Sequence, residues 1–245
     1  MTAVRSALLA ALLLPALLAG LACGLQPEKA PPTADLAITI PWPDQEQAHY
    51  LLLDRKSKEE MGEGTLSVRK QGDQYELTQT FENAEGSSDE STVVADAETL
   101  KPLSFHRKLA LPNQTEEVKG DYDAVQGVVN ITEVKGEEDR PVPLRLGKNY
   151  YDNDTSLFLW RTIPFAQGYT AAYFTVLTGS ATQAIVEIEI TGKEEVTVPA
   201  GTFQTWKMEV RSSGVKQFAW FADTPQHPLV QYNNSIQLFQ LTALP

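Results

Sequence analysis

Cysteine and histidine are scarce in this sequence of 245 residues, which contains one cysteine, Cys23, and three histidines. A single cysteine cannot form a disulfide within the chain, so a disulfide framework is excluded. The histidines His49, His106 and His227 lie far apart and form neither an H-E-x-x-H nor an H-x-H pair that would suit a transition metal. We therefore expect no metal centre and no other cofactor.

The sequence motifs of common catalytic centres are also missing. There is no G-x-S-x-G nucleophile elbow, no Walker phosphate loop and no dinucleotide-binding glycine fingerprint. Glu187 and Glu189 fall on one face of a predicted strand and could form a carboxylate pair as in glycosidases, although a solvated strand face is the ordinary explanation. We predict a non-enzymatic protein and keep a hydrolase as the third hypothesis.

Basic residues are outnumbered, with 20 Lys and Arg against 32 Asp and Glu, for a formal charge of −12. Such a charge repels phosphate backbones and anionic lipid head groups. The composition therefore disfavours nucleic acid as a partner and disfavours charge-driven binding to a membrane surface.

The amino terminus is typical of a secretory signal. Arg5 precedes an apolar run at residues 7–19, and small residues follow at Gly20 and Ala22. The run is shorter than the roughly 20 residues that cross a bilayer, which argues against a permanent membrane span. We predict a signal peptide at residues 1–22 and an extracytoplasmic protein.

Cys23 comes directly after the predicted cleavage site. This arrangement resembles the lipobox of bacterial lipoproteins, which implies that Cys23 carries a thioether-linked diacylglycerol and becomes the mature amino terminus. The lipobox usually has Leu three residues before the cysteine, whereas this chain has Gly20 there and Leu21 next. Gly20 and Ala22 also satisfy ordinary cleavage at the same bond, so a lipid-anchored protein and a simply secreted protein both remain open.

Residues 23–43 are rich in proline and contain few large apolar residues before Leu36. Proline-rich segments are extended and form semi-rigid spacers, so we predict a lipid-anchored tether at residues 23–43. The remaining residues, 44–245, are expected to form a single β-rich domain, because apolar and polar residues alternate through most of them.

The clearest strand pair lies in the segment of residues 194–232. Val196 and Val198 precede the turn sequence Pro199-Ala200-Gly201, and alternation continues through residues 203–210. Pro presets the backbone angle φ for a turn and Gly accepts a positive φ, so we predict a β-hairpin. We expect the two valines to face the row of Trp206, Met208 and Val210.

One stretch breaks the period-two pattern, at residues 152–164. Leu157, Trp160 and Ile163 recur at helical spacing, Asp154 or Thr155 could cap the amino terminus, and a proline ends the element. We predict one short buried helix. The nearby aspartates could offer oxygen ligands to Ca²⁺, but capping is the commoner role because the spacing does not match an EF-hand loop.

The run V-P-A-G-T-F-Q-T-W-K at residues 198–207, followed by W-F-A-D at 220–223 and P-L-V at 228–230, resembles the signature of an uncharacterised family. Its members are exported bacterial proteins that share a domain of unknown function. Such proteins resemble the lipoprotein carriers LolA and LolB in outline. The resemblance implies a mainly β fold: a strongly curved antiparallel sheet or incomplete β-barrel, with one short helix on or in the concave face. It transfers no catalytic residues.

A curved open sheet leaves space beneath its helix, and aromatic residues could line that space. If such a cavity exists, we expect Phe158 and Trp160 to form its lid and Trp206 and Met208 its wall, with Trp220 as a further lining residue. Filling of the core is the alternative role for these side chains. The cavity would hold a hydrophobic small molecule, an acyl chain, or a segment of a lipoprotein or peptide.

The sequence therefore leaves two main hypotheses. The first is an exported, membrane-tethered lipoprotein that binds a hydrophobic ligand, and the second is an envelope scaffolding protein with a filled core that binds partners at a sheet edge or loop. A contiguous apolar void would favour the first. The oligomeric state stays open.

Overall fold

The computed structural model describes residues 34–83, 85–134, 139 and 141–244. The predicted signal peptide, Cys23 and the tether up to residue 33 lie outside the described residues. The described chain is dominated by strands, as the alternation of apolar and polar residues predicts. The strands are β1 Gln45–Asp54, β2 Glu60–Gln71, β3 Gln74–Asn83, β4 Ser88–Asp96, β5 Pro102–Leu111, β6 Gln114–Asp123, β7 Val128–Glu133, β8 Val142–Arg145, β9 Tyr150–Asp152, β10 Thr170–Leu177, β11 Thr182–Val198, β12 Gly201–Ser212, β13 Val215–Ala222, β14 Leu229–Asn233 and β15 Gln237–Ala243.

All of these strands join one sheet, in the order β8-β7-β6-β5-β4-β3-β2-β1-β15-β14-β13-β12-β11-β10-β9. Neighbours are antiparallel except β9 and β10, which are parallel. Pairing of β1 with β15 joins the two halves of the sheet. Twisted strands curve a large sheet, and here the inner faces of both halves meet in one apolar core, where Leu52 and Leu77 join Ile188 and Met208. The predicted curved antiparallel sheet is confirmed.

The terminal strands of the described sheet are β8 and β9. Side-chain contacts bridge the gap between these two edges. The ring of Tyr122 on β6 stacks on that of Tyr150 on β9, with centroids 6.0 Å apart. The carboxamide of Gln183 on β11 accepts a hydrogen bond from the Gly147 amide at 3.0 Å and donates one to the Arg145 carbonyl. The structure is therefore an incomplete barrel, and side chains hold its edges together.

The helix α1, Ser156–Leu159, lies inside the curve of the sheet, as predicted. All four of its residues are buried, and the indole nitrogen of Trp160, which follows the helix, donates to the Tyr173 hydroxyl at 2.9 Å. The capping residue differs from the prediction. A 3-10 turn, Asn153–Thr155, precedes α1, so the capping side chain is that of Asp152, which accepts from the Asp154 amide at 2.9 Å. Thr155 makes no side-chain capping bond.

The predicted hairpin is present, with Pro199 and Ala200 as the two turn residues between β11 and β12. Gly201 has φ of +132°, a value that favours glycine. β11 is one strand of 17 residues with a bulge between Ile190 and Gly192. One predicted feature differs. Register places Val196 opposite Phe203, so the valines share a face with Phe203 and not with Trp206, Met208 and Val210.

Residues 34–43, which we call the strap, have no regular secondary structure but contact the barrel. Leu36, Ile38 and Ile40 are partly buried against the core, and Trp42 is buried. The Thr39 amide donates to the Thr162 carbonyl at 2.9 Å. The alternating apolar residues of the strap pack against the core, as the inward-facing residues of a strand do. The described part of the predicted tether therefore lies on the domain.

A buried ion pair lies beneath the strap. The Arg161 guanidinium donates two hydrogen bonds to Glu46, at 2.5 and 3.2 Å, and their side chains are only 6% and 7% exposed. It also donates to the carbonyls of Gln226 and His227, and it lies 5.3 Å from the Trp42 ring. Arg161 thus links the strap, β1 and the loop before β14.

Candidate functional site

The two ends of the barrel differ. The strap covers one end, where Trp42 meets Tyr75 near the start of β3 with ring centroids 5.9 Å apart. At the other end, where β3 finishes, a groove of about 1100 Å³ opens between the two halves of the sheet. Small-molecule sites usually occupy roughly 300–1,000 Å³, so the groove is large enough to hold a ligand.

Apolar side chains from both halves line the inner part of the groove. Leu157 of α1 and Trp160, which follows α1, close the inner end of the groove and are only 7% and 3% exposed. The walls are Leu52, Phe81, Leu109, Val186, Val210 and Phe239. The inner surface is thus continuous with the hydrophobic core.

Three apolar side chains stand on the outer rim of the groove. Met61 is 37% exposed, Val215 is 41% exposed and Ile236 is 69% exposed. Single exposed apolar residues are common, but a contiguous apolar patch marks a binding surface in many proteins. These three residues come from β2, β13 and the β14–β15 turn, and they extend the apolar lining toward solvent.

One side of the groove is charged. Asp89 on β4 accepts two hydrogen bonds from Arg107 on β5, at 2.7 and 2.5 Å, and this partner raises the pKa of the guanidinium. Asp154, in the 3-10 turn before α1, is partly buried beside them, and burial raises the pKa of its carboxyl. The charged groups therefore lie on the β4–β5 side, next to the apolar inner end.

Asp152 lies two residues before Asp154 in the chain and is fully buried. Tyr122 donates to its carboxyl at 2.5 Å, and burial is the main reason that its pKa rises to about 8. Asp152 caps the 3-10 turn before α1 and is not among the described residues that line the groove.

Of the predicted cavity residues, the structure brings Trp160 to the groove. Phe158 and Met208 are buried in the core, at 1% and 0% exposure, and neither lines the groove. Trp206 and Trp220 are not brought together. Register pairs Trp206 with Phe221 and Lys207 with Trp220, so the two indoles point to opposite faces of the sheet.

Both of these tryptophans already have partners. The indole nitrogen of Trp206 donates to Asp223 at 2.8 Å, and the Lys193 ammonium lies 4.3 Å from its ring. Trp220 donates to Glu194, which also accepts from Lys207 at 3.1 Å. These contacts form two separate clusters, one on each face of the sheet, and neither tryptophan is among the described residues that line the groove.

Sequence reasoning missed most of the groove. Leu52, Phe81, Val210 and Phe239 follow the apolar alternation of their strands, so each is predictable as an inward-facing residue. Which strand ends meet at one end of the barrel depends on the order of strands in the sheet. No sequence signal that we used carries that order.

The described residues contain no group of three or more His, Cys, Asp and Glu side chains that could hold a metal ion. In the same part of the chain, no helix has the length and apolar character that a membrane span requires. The arrangement offers an apolar groove with a carboxylate-rich side, which suits binding of a molecule with an apolar portion.

The fold and the groove define the class of protein: an incomplete β-barrel with a short helix inside it. The chain belongs to the family of proteins of unknown function DUF3108, whose model matches residues 47–236. The predicted membership of a domain-of-unknown-function family is confirmed.

Two solved structures are similar to the chain. A β-barrel-like protein of the DUF1849 domain family from Brucella abortus shares 11% identity at a TM-score of 0.49, over 86% of this chain and 98% of that one. A Bacteroides fragilis protein with a YmcC-like fold, provisionally described as exported, shares 12% identity at a TM-score of 0.30, over 85% and 99%. None of the curated proteins matches the chain.

Proposed function

We propose that this protein is a non-enzymatic, extracytoplasmic binding protein that holds a hydrophobic ligand in the groove. The observation that carries the proposal is the groove itself, with its volume of about 1100 Å³ and its apolar inner walls. A ligand that covers Met61, Val215 and Ile236 would also remove exposed apolar surface from water, at about 25 cal/mol per Å².

The second part of the proposal is a lipid anchor on Cys23. It is supported by the position of this cysteine directly after the predicted signal peptide. Acyl chains stabilise membrane binding by about 0.8 kcal/mol per buried methylene, so two or more chains hold a protein on a bilayer. Cys23→Ser should move the protein from the membrane to the soluble fraction. Retention of the variant on membranes would refute the anchor.

The groove can be tested with an uncharged dye whose fluorescence rises in apolar surroundings, such as Nile red. Ser212 lines the groove at the end of β12, and Thr202 is exposed at the other end of the same strand. Ser212→Trp should fill the groove and weaken dye binding by at least about tenfold, because the apolar contact area is lost. Thr202→Trp adds the same side chain far from the groove and should bind like the wild type.

The experiment uses the full chain with Cys23→Ser, so that an attached lipid does not compete with the dye. Mass spectrometry of organic extracts from the same protein would identify any ligand carried through purification. Absence of dye binding by the parent chain would overturn the proposal, and so would equal binding by the Ser212→Trp variant. Such a result would favour the scaffolding hypothesis.

A further inference from the structure

The charges that line the groove are strongly unequal. Arg107 is the one basic side chain among the described lining residues, and no lysine is present. Five carboxylates line the groove, namely Glu60, Glu82, Glu85, Asp89 and Asp154. Subtracting one from five leaves a formal charge of −4 when all five are ionised.

Arg107 is not available to an anionic ligand. Its guanidinium donates to both carboxylate oxygens of Asp89, at 2.7 and 2.5 Å, which is the bidentate geometry of a strong ion pair. In the described part of the chain, Glu60 and Glu82 form no ion pair, and both side chains are exposed. The uncompensated charge therefore lies on the rim, at Glu60 and Glu82.

The carboxylates are confined to one side of the groove. Glu60, Glu82, Glu85 and Asp89 come from β2, β3, β4 and the turn between β3 and β4, and Asp154 precedes α1. The facing half of the sheet contributes apolar and uncharged polar side chains, including Val215 and Gln217. A ligand would thus meet negative charge along one wall and apolar surface along the other and at the inner end.

We infer that the groove selects an amphiphile with an alkyl chain and a cationic, ammonium-bearing head group. This inference rests on the proposed function of hydrophobic ligand binding. The alkyl chain would lie against Leu52, Phe81 and Phe239, and the head group would lie at the rim beside Glu60 and Glu82. A carboxylate or phosphate head group would be repelled at the same position, since none of the described residues that line the groove is a free cation.

The test compares three amphiphiles with one dodecyl chain: dodecyltrimethylammonium, dodecanoate and the uncharged dodecyl maltoside. Each is titrated below its critical micelle concentration into the full chain with Cys23→Ser, and the dissociation constant is measured by calorimetry. In low salt we expect the ammonium compound to bind at least about tenfold more tightly than dodecanoate. The ratio should shrink as salt rises, because charges more than about 8 Å apart are screened at physiological ionic strength.

Two double variants assign the selectivity to the groove. Glu60→Gln with Glu82→Gln removes rim charge and should bring the ratio of the two dissociation constants toward one. Glu98→Gln with Glu195→Gln makes the same change in net charge in the β4–β5 turn and near the hairpin turn, far from the groove. This control pair should keep the selectivity of the parent chain.

The possible outcomes distinguish the proposed function, hydrophobic ligand binding, from the further inference, selectivity for a cationic head group. Binding of dodecanoate as tight as that of the ammonium compound would overturn the inference and leave hydrophobic ligand binding intact. Selectivity that survives Glu60→Gln with Glu82→Gln, or that is lost equally in the control pair, would overturn it too. Failure of all three amphiphiles to bind would overturn both the inference and the proposed function.

Discussion

At the scale of single residues, Asp152 is a carboxyl that the fold keeps away from water. It accepts from the Asp154 amide, and the Tyr122 hydroxyl lies 2.5 Å from its other oxygen. Burial raises its pKa to about 8 from the ordinary 3.8. The folded state thus binds a proton that the unfolded chain releases between these two pH values, so folding stability depends on pH.

We predict that Asp152→Asn removes this dependence. Because the folded-state pKa is raised, the stabilising contribution of Asp152 is complete below pH 3.8 and is lost as pH rises through about 8. The slope is up to about 1.4 kcal/mol per pH unit. Urea unfolding from pH 5 to 9 should show falling stability in the wild type and a flatter profile in the variant, which stays neutral.

Asp121→Asn on β6 is the matched control, because Asp121 is exposed in the same region. Its stability profile should run parallel to that of the wild type. If Asp152→Asn also follows the wild-type slope, Asp152 is not the group that titrates.

The buried ion pair between Arg161 and Glu46 also contributes to folding stability in a way that can be measured. Glu46→Gln would leave a buried guanidinium without its counter-charge, and such a change costs about 3–5 kcal/mol of the free energy of unfolding. The exposed pair Arg69–Glu76, with atoms 2.8 Å apart, is the control. Glu76→Gln should cost less than about 1 kcal/mol. Equal losses in the two variants, measured by urea unfolding, would contradict this prediction.

At the scale of elements, the strap is a segment with strand-like alternation that pairs with no strand. Ile38 and Ile40 are partly buried, whereas the alternate residues Ala37 and Thr39 are exposed. We predict that Ile38→Asp with Ile40→Asp detaches the strap, since each buried apolar side chain contributes about 1.5–3 kcal/mol when fully covered. Limited proteolysis should then cleave within residues 34–43 while the barrel stays intact.

Ala37→Asp with Thr39→Asp introduces the same charges at exposed positions of the strap and is its control. Protease resistance should match that of the wild type. Rapid cleavage of this control pair would mean that charge alone, and not the lost apolar contact, detaches the segment.

α1 shows how an element can be predictable in place and not in detail. The spacing of Leu157, Trp160 and Ile163 correctly indicates a buried helix before Pro164. The capping role passes to Asp152 because a 3-10 turn extends the element toward its amino terminus. Sequence patterns do not distinguish between neighbouring aspartates as caps, since either can accept a backbone hydrogen bond.

At the scale of the whole molecule, side chains of the edge strands and their neighbours close the barrel. We predict that Gln183→Ala loosens this closure, because the Gln183 carboxamide bonds both to the Gly147 amide and to the Arg145 carbonyl. Loss of the two bonds should cost about 1–3 kcal/mol. Hydrogen exchange should quicken at Gly147 and in β8. Gln204→Ala, at an exposed position of β12, is the control, and faster exchange at Gly147 in that variant would contradict the assignment.

The amino-acid sequence by itself determined the strands, the Pro199–Ala200 turn, the single buried helix and the family, because these depend on alternation, turn chemistry and short motifs within one stretch of chain.

Only the tertiary structure decided which side chains line the groove. Trp206 and Trp220 are close in sequence, yet register turns them to opposite faces. Leu52 and Phe239 are far apart in sequence, yet β1 and β15 pair directly and bring them to one wall. Local periodicity fixes which way a side chain faces on its own strand, whereas the order and curvature of the sheet fix which faces meet.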